Sequence, residues 1–341
     1  MDLQNLCRSA SLRFLFAIRM TNDIGYRVKR KSAGMLIYWS LIKGPISLMN
    51  GCTAFLGYSA GLYLHGSLSF GRDLGCGIAI FLAISVFSGG AAILNNYQDR
   101  HIDTLMTRTC HRPIPLGLVS AAHVLPLAVF QIVISIVALA VVSPSLSVVV
   151  IALAALFLYN GLYTPLKKKT LLALIPGLIG GSLPPIIGWI ASGGPISLPV
   201  LSYIGVVLIL WQIPHYWLLL LSDSEDLSDR ILPSFCSFFS RRRLADMTYT
   251  WVVFYSLMIL LIPVWLYKKP TSIASLTALL AIVSAYAGSL IAVSYSYLKK
   301  RGIPAREKSA FLAFNFCSLF FFLSLSFYFF ADTYWIRSAV F

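Results

Sequence analysis

Asn95-Asn96-Tyr97-Gln98-Asp99-Arg100-His101-Ile102-Asp103 closes an apolar run that begins near Gly75. Asn95, Asp99 and Asp103 recur at i, i+4 and i+8, so on a helix their side-chain oxygens form one stripe. Two carboxylates and an amide at the end of a membrane-type helix are costly unless something binds them. Oxygen donors of this kind suit Mg²⁺, which keeps several waters and is commonly completed by substrate phosphates. The chain runs on through Arg108 and Arg112, two guanidinium groups suited to phosphate oxygens. The pattern reads as a site for a magnesium-bound diphosphate at the edge of a bilayer.

The rest of the chain supplies the bilayer. Of 341 residues 58% are hydrophobic and 11% charged, whereas soluble domains carry about 25% charged residues. The fold class is therefore an all-α integral membrane protein. A net charge of +15 would suit nucleic acid if it were clustered. Here the basic residues lie in short loops between apolar runs, where they set topology and meet anionic lipid. The six cysteines are scattered without a CxxC, so their spacing indicates neither a disulfide framework nor a zinc site.

Nine transmembrane helices are expected, over about 36–63, 74–96, 121–142, 147–163, 171–191, 197–221, 245–267, 274–297 and 309–330. A basic cytoplasmic segment, 1–35, precedes a single domain, 36–330, and a short non-cytoplasmic tail, 331–341, follows it. Alternate loops hold 22 of the 27 Lys and Arg residues. The amino terminus is thus expected in the cytoplasm and the carboxyl terminus outside. The expected compartment is a bacterial inner membrane, with a mitochondrial inner membrane as the second choice.

The loop after the sixth span carries Asp223-Ser224-Glu225-Asp226-Leu227-Ser228-Asp229. It falls on the same side as Asp99 and Asp103, four crossings later. This placement suggests two four-helix halves plus one added helix. Two facing acid patches could hold Mg²⁺ ions with a diphosphate between them, Asp223 and Asp226 being the second patch's ligands. A solvated polar loop is the plainer reading of the same residues. Tyr163 and Lys167, again on that face, could reach the diphosphate, although a Lys167-Lys168-Lys169 run also reads as a topology signal. His215 lies in the sixth span, where a histidine points to function. It could accept a proton, bind a metal or hydrogen-bond a substrate, or simply be satisfied by a neighbouring helix. Pro184, Pro185 and Pro214 would kink their helices and could open a cavity.

Metal ions and cationic side chains that draw charge onto a diphosphate make it a leaving group. If the attached group is allylic, cleavage leaves a delocalised cation for an electron-rich acceptor. An isoprenoid tail suits a site among membrane spans. A cation transporter is the alternative of another class, but it would need ionisable groups spread through the bilayer depth, and here they gather on one face.

These residues resemble the UbiA superfamily of intramembrane prenyltransferases, whose signature is two Asp-rich motifs on cytoplasmic helix ends of a nine-helix bundle. The likeness extends from about residue 38 to 330. It rests on residues 95–103, on Thr107-Arg108 and Arg112-Pro113, on Tyr163-Thr164-Pro165-Leu166-Lys167, on Pro184-Pro185 and on Trp211-Gln212-Ile213-Pro214-His215. It is nearest to the branch that farnesylates heme. The resemblance implies Mg²⁺-dependent transfer of farnesyl from farnesyl diphosphate, or a similar prenyl diphosphate, to a vinyl group of heme B, giving heme O. It implies Asp99, Asp103, Asp226 and His215 as catalytic residues, with Asn95, Arg108, Arg112, Lys167 and Tyr163 toward the diphosphate. The chain departs from the pattern at His101, where an acid is usual, and after Lys43-Gly44-Pro45, where an arginine is missing. Its second patch is also more acidic, closer to enzymes that prenylate a quinone precursor or another aromatic ring.

Overall fold

The computed structural model describes residues 26–66, 69–106, 109–196, 198–222, 233, 235, 238–266, 273–298 and 304–336. All regular structure among them is helical. The helices are α1 (Tyr26–Leu41), α2 (Gly44–His65), α3 (Phe70–Asp103), α4 (Ala121–Val142) and α5 (Leu146–Leu156). They are followed by α6 (Leu174–Ala191), α7 (Leu198–Ser222), α8 (Arg241–Leu260), α9 (Ile273–Leu298) and α10 (Pro304–Ala331). Helix α5 continues through a π-helical stretch, Phe157–Tyr163, into Thr164–Leu166.

Eight of these segments are long and apolar enough to cross a membrane, so the chain is a multi-pass membrane protein. The expected count of nine differs by the segment at 36–63, which is two helices. Helix α1 stops at Leu41 and α2 starts at Gly44, with Lys43 between them at φ 49°, in the left-handed region. The cause is local packing. A Cβ at Gly44 would lie 2.2 Å from the Trp39 ring, and Pro45 follows at the start of α2. The chain must fold Trp39 back over a bare backbone, and a continuous helix does not allow it. Helix α2 has 22 residues, twelve of them buried, among them Gly51, Ser47, Gly57, Ser59 and Gly61. Small and polar residues lower its apolarity because they face other helices.

The helices form a ring in chain order. Each helix from α2 to α9 packs on the next, and α10 closes the ring on α2 and also touches α7. Helix α2 meets α6 across the middle, backbone against backbone. A Cβ at Gly57 would lie 1.9 Å from the Pro185 carbonyl oxygen, and one at Gly188 would lie 1.8 Å from that of Ala54. Such close approach is the usual role of small residues between membrane helices. Helix α6 runs on through Pro184 and Pro185, and α7 through Pro214.

Two large apolar cores fill the ring, with a smaller third of Leu41, Ile93, Val124 and Ala128. One is drawn mainly from α2 to α6, with Ile80, Ile84, Leu139, Val148, Ile187 and Trp189. The other is drawn mainly from α7 to α10, with Trp211, Leu221, Val252, Leu290, Phe314 and Phe322. This division is not the expected one of four, four and one: the helix over 171–191 belongs to the first core and α10 mainly to the second. Residues Asp332–Ile336 of the tail fold as one further π-helical turn, and Tyr334 donates its hydroxyl proton to Asp73 at the start of α3. Cys110 is disulfide-bonded while Cys52, Cys76 and Cys317 are free. The spacing of the cysteines carried no sign of that bond, which depends on tertiary proximity.

Candidate active site

Helix α3 has 34 residues, about 50 Å at 1.5 Å per residue, against a hydrocarbon core of roughly 30 Å. Its last turns therefore project beyond the apolar layer, carrying the motif with them. Asn95, Asp99 and Asp103 are all buried, at 1%, 1% and 3% exposure. The expected stripe exists. His101 is exposed and faces away from it.

Cations surround the stripe. Lys167 donates to Asp99 Oδ2, and Lys168 Nζ lies 3.1 Å from Oδ1. The second contact is an ion pair whose angle does not make a hydrogen bond, so buried Oδ1 keeps an unused lone pair. Arg112 Nη1 donates to Asp103 Oδ2 at 2.8 Å and to Asn96 Oδ1 at 3.3 Å. Asn95 donates to Asp99 Oδ2 at 2.9 Å and to Thr164 Oγ1 at 3.0 Å. Its own Oδ1 accepts from Lys43 Nζ at 2.6 Å, and the same ammonium reaches the Tyr159 hydroxyl at 3.4 Å. The acids are deeper than the cations: the Lys167, Lys168 and Arg112 side chains keep 23%, 32% and 21% exposure.

The π-helical stretch of α5 is what turns its end toward α3. Asn160 within it donates to the Ala91 carbonyl and to Gln98, and Gln98 donates back to the Asn160 carbonyl. Tyr159 and Tyr163 stack with centroids 5.6 Å apart, and the Lys167 ammonium lies 5.3 Å from the Tyr163 ring centre. π-Bulges of this sort commonly mark functional sites. A small cavity beside them is lined by Tyr163, Lys167, Leu174, Tyr216 and Pro233. It joins the ends of α5 and α7, so the chain entering and leaving the second acid-rich loop borders the first cluster.

Of the residues expected from sequence, Asn95, Asp99, Asp103, Arg112, Tyr163 and Lys167 come together here. Arg108, Asp223 and Asp226 lie outside the described residues. His215 contacts neither Asp99 nor Asp103. Its Nδ1 is 2.7 Å from Asn315 Oδ1, and its ring stacks on Trp211, one residue before the cavity-lining Tyr216. Sequence reasoning missed Lys43, Lys168, Tyr159 and Thr164. Lys43 had a signal, being a lone lysine in an apolar stretch. Lys168 was hidden in a three-lysine run, Thr164 stood in the matching Tyr163–Lys167 stretch with no role assigned to it, and Tyr159 gave no signal.

Among the described residues no three His, Cys, Asp or Glu side chains gather as a metal site. The donors present are two carboxylates and an amide, with the unused lone pair on Asp99 Oδ1. That set fits a hard divalent cation completed by ligand phosphates.

The comparisons with known proteins agree with this geometry. Residues 50–300 match the UbiA prenyltransferase family. A protoheme IX farnesyltransferase of Nitratidesulfovibrio vulgaris (strain DP4) is 30% identical over 211 residues, covering 61% of this chain and 72% of that one. One from Alkalihalophilus pseudofirmus is 36% identical over 190 residues, covering 55% and 60%. The chain thus spans between about three fifths and three quarters of the length of these relatives. The solved structure of a UbiA homolog from Archaeoglobus fulgidus bound to DMAPP and Mg2+ superimposes with a TM-score of 0.63 at 15% identity, over 87% of this chain and 98% of that one. Family match and shared fold lead to one conclusion: the chain belongs to the UbiA prenyltransferase family, a family of enzymes.

Proposed function

We propose that the protein transfers farnesyl from farnesyl diphosphate to a vinyl group of heme B, giving heme O, with Mg²⁺. The observation that carries this reading is the buried Asp99 carboxylate held between two partly exposed lysines, with one oxygen that accepts no hydrogen bond. The relatives that act on protoheme IX supply the acceptor, and the solved homolog that holds DMAPP and Mg2+ supplies the donor class.

Asn95, Asp99 and Asp103 would hold the ion, with Asp223 and Asp226 contributing from the second loop. Bound there, Mg²⁺ neutralises charge on the diphosphate. The remaining work falls to this chain's cations. Lys167, Lys168 and Arg112 sit at the rim of the carboxylates and can turn from them to phosphate oxygens without entering the bilayer. Arg108, four residues before Arg112, would add a fourth cation to this rim. Lys43, fixed by the turn between α1 and α2, approaches from below. Together they stabilise the charge that develops as the allylic C–O bond breaks. The vinyl group then attacks the prenyl cation, and water captures the resulting porphyrin-side cation with loss of a proton. From the basic loops we infer a cytoplasmic position for this face and the amino terminus, with the carboxyl terminus outside, in a bacterial inner membrane.

The test is conversion by the purified full chain in detergent, supplied with Mg²⁺, farnesyl diphosphate and heme B. The expected product is a more hydrophobic heme carrying a hydroxyethylfarnesyl group, and EDTA abolishes its formation. No heme product, with transfer instead to a phenolic quinone precursor, would overturn the acceptor assignment.

A further inference from the structure

Helix α7 presents His215 to α10, and the contact fixes more than the position of the ring. Asn315 Nδ2 donates to the Phe311 carbonyl at 2.6 Å, one helical turn earlier. Turning that amide over would set two acceptor oxygens against each other, so its orientation is settled. Asn315 Oδ1 therefore faces His215, 2.7 Å from Nδ1. A carbonyl oxygen only accepts, so the proton of the neutral imidazole must sit on Nδ1. Nε2 is left with its lone pair, and it has no hydrogen-bond partner among the described residues. The ring plane is held too. His215 stacks on Trp211 at 4.9 Å and 27°, with Phe311 at 5.2 Å. Trp211 is itself pinned by its Nε1–H to Ser318 at 2.8 Å.

We infer that His215 binds the iron of the porphyrin acceptor through Nε2, with Asn315 as the positioning residue that selects the tautomer. This rests on the heme reading above. An imidazole that donates its second N–H to an oxygen acceptor is the usual arrangement of a metal-binding histidine. The surroundings also suit a porphyrin. The half-buried Phe311 and Tyr216 offer aromatic surface, and Tyr216, the residue after His215 on α7, lines the cavity with Tyr163 and Lys167. Iron held on α7 would place the acceptor beside the diphosphate site and keep its vinyl edges in one orientation. No acid is needed at this histidine, and none among the described residues pairs with it.

The experiment uses the full chain in detergent, titrated with ferric heme B and followed by visible absorption and electron paramagnetic resonance. The wild type is expected to give a histidine-ligated spectrum. His215→Gly loses that spectrum, and added imidazole restores it. Asn315→Ala weakens heme binding by about 10–100-fold, the usual effect of losing such a partner, while Asn315→Asp retains binding. Stabilisation of all three variants by prenyl diphosphate with Mg²⁺ checks that they fold. An unchanged spectrum in folded His215→Gly overturns the inference. If the wild type still farnesylates heme B in that case, the functional reading stands and only the iron contact is lost. A wild type that neither binds nor prenylates heme B overturns both.

Discussion

A carboxylate as buried as Asp99 is costly unless its charge is met, and removing a partner from such a group is worse than never having had it. Beside the Asn95 amide, Asp99 has two cationic partners because the ammonium groups approach from the rim, and each can be withdrawn by a ligand of greater charge. Lys167→Met is therefore expected to raise the KM for prenyl diphosphate by about 10–100-fold, the equivalent of one charge-assisted hydrogen bond of roughly 1.5–3 kcal/mol. Initial rates across donor concentration measure it, and an unchanged KM would leave Lys167 a merely structural partner of Asp99. Lys43→Met is expected to lower kcat/KM for the same donor over a similar range, because Asn95 and Tyr159 lose the cation that orients them. Lys43→Arg recovers part of the loss, which rate measurements on the pair would show. The stripe of Asn95, Asp99 and Asp103 was legible in the sequence because helical spacing alone puts the three on one face. The lysines around it were less so. Lys168 is one of three in a row, and nothing in a charge run says which member turns inward. Asn315 lies a hundred residues from His215, and its role depends on two helices meeting.

At the scale of elements, the bounds of α4, at Ala121–Val142, were readable because Ser120 caps its start and Ser143-Pro144 ends it. The break at Lys43 was not readable. An apolar stretch with one lysine reads as a continuous span, and only Trp39 folding over Gly44 makes it two helices. The same dependence on bare backbone sets the contact between α2 and α6. Gly188→Ala forces a methyl group into the Ala54 carbonyl oxygen and is expected to cost about 1–3 kcal/mol, the usual range for overpacking. Gly71→Ala, where a Cβ meets nothing within 4 Å, serves as the tolerant comparison. Thermal unfolding in detergent separates them, and equal midpoints would show that α2 and α6 can part without loss. The π-helical stretch of α5 also had no sequence signal. It arises because Asn160 reaches Ala91 and Gln98 on α3, which draws the following residues round toward the acids.

At the scale of the whole molecule the described helices form a ring, and the Asp99 cluster with its lysines and arginine lies at the end where α3 and α5 finish. Composition made the membrane setting plain, and the alternation of basic loops implied which ends share a face. The contact of Asp99 with Lys167 and Lys168 brings two of those ends together, and the cavity with Tyr216 and Pro233 adds the third. Cysteines introduced at Thr170 and at Ser145 in a chain freed of its reactive native thiols test the orientation. Thr170→Cys is expected to be shielded from an impermeant maleimide added outside intact cells, and Ser145→Cys to react. The opposite result would invert the protein in the membrane. The central claim is that this charged end holds a metal-bound diphosphate while a prenyl group passes to heme. It is met most directly by mass spectrometry of the hemes formed from heme B and farnesyl diphosphate by the wild type and by Asp99→Asn. The account predicts a hydroxyethylfarnesyl heme from the wild type and about 100-fold less or none from the variant. Equal yields from the two proteins would contradict it.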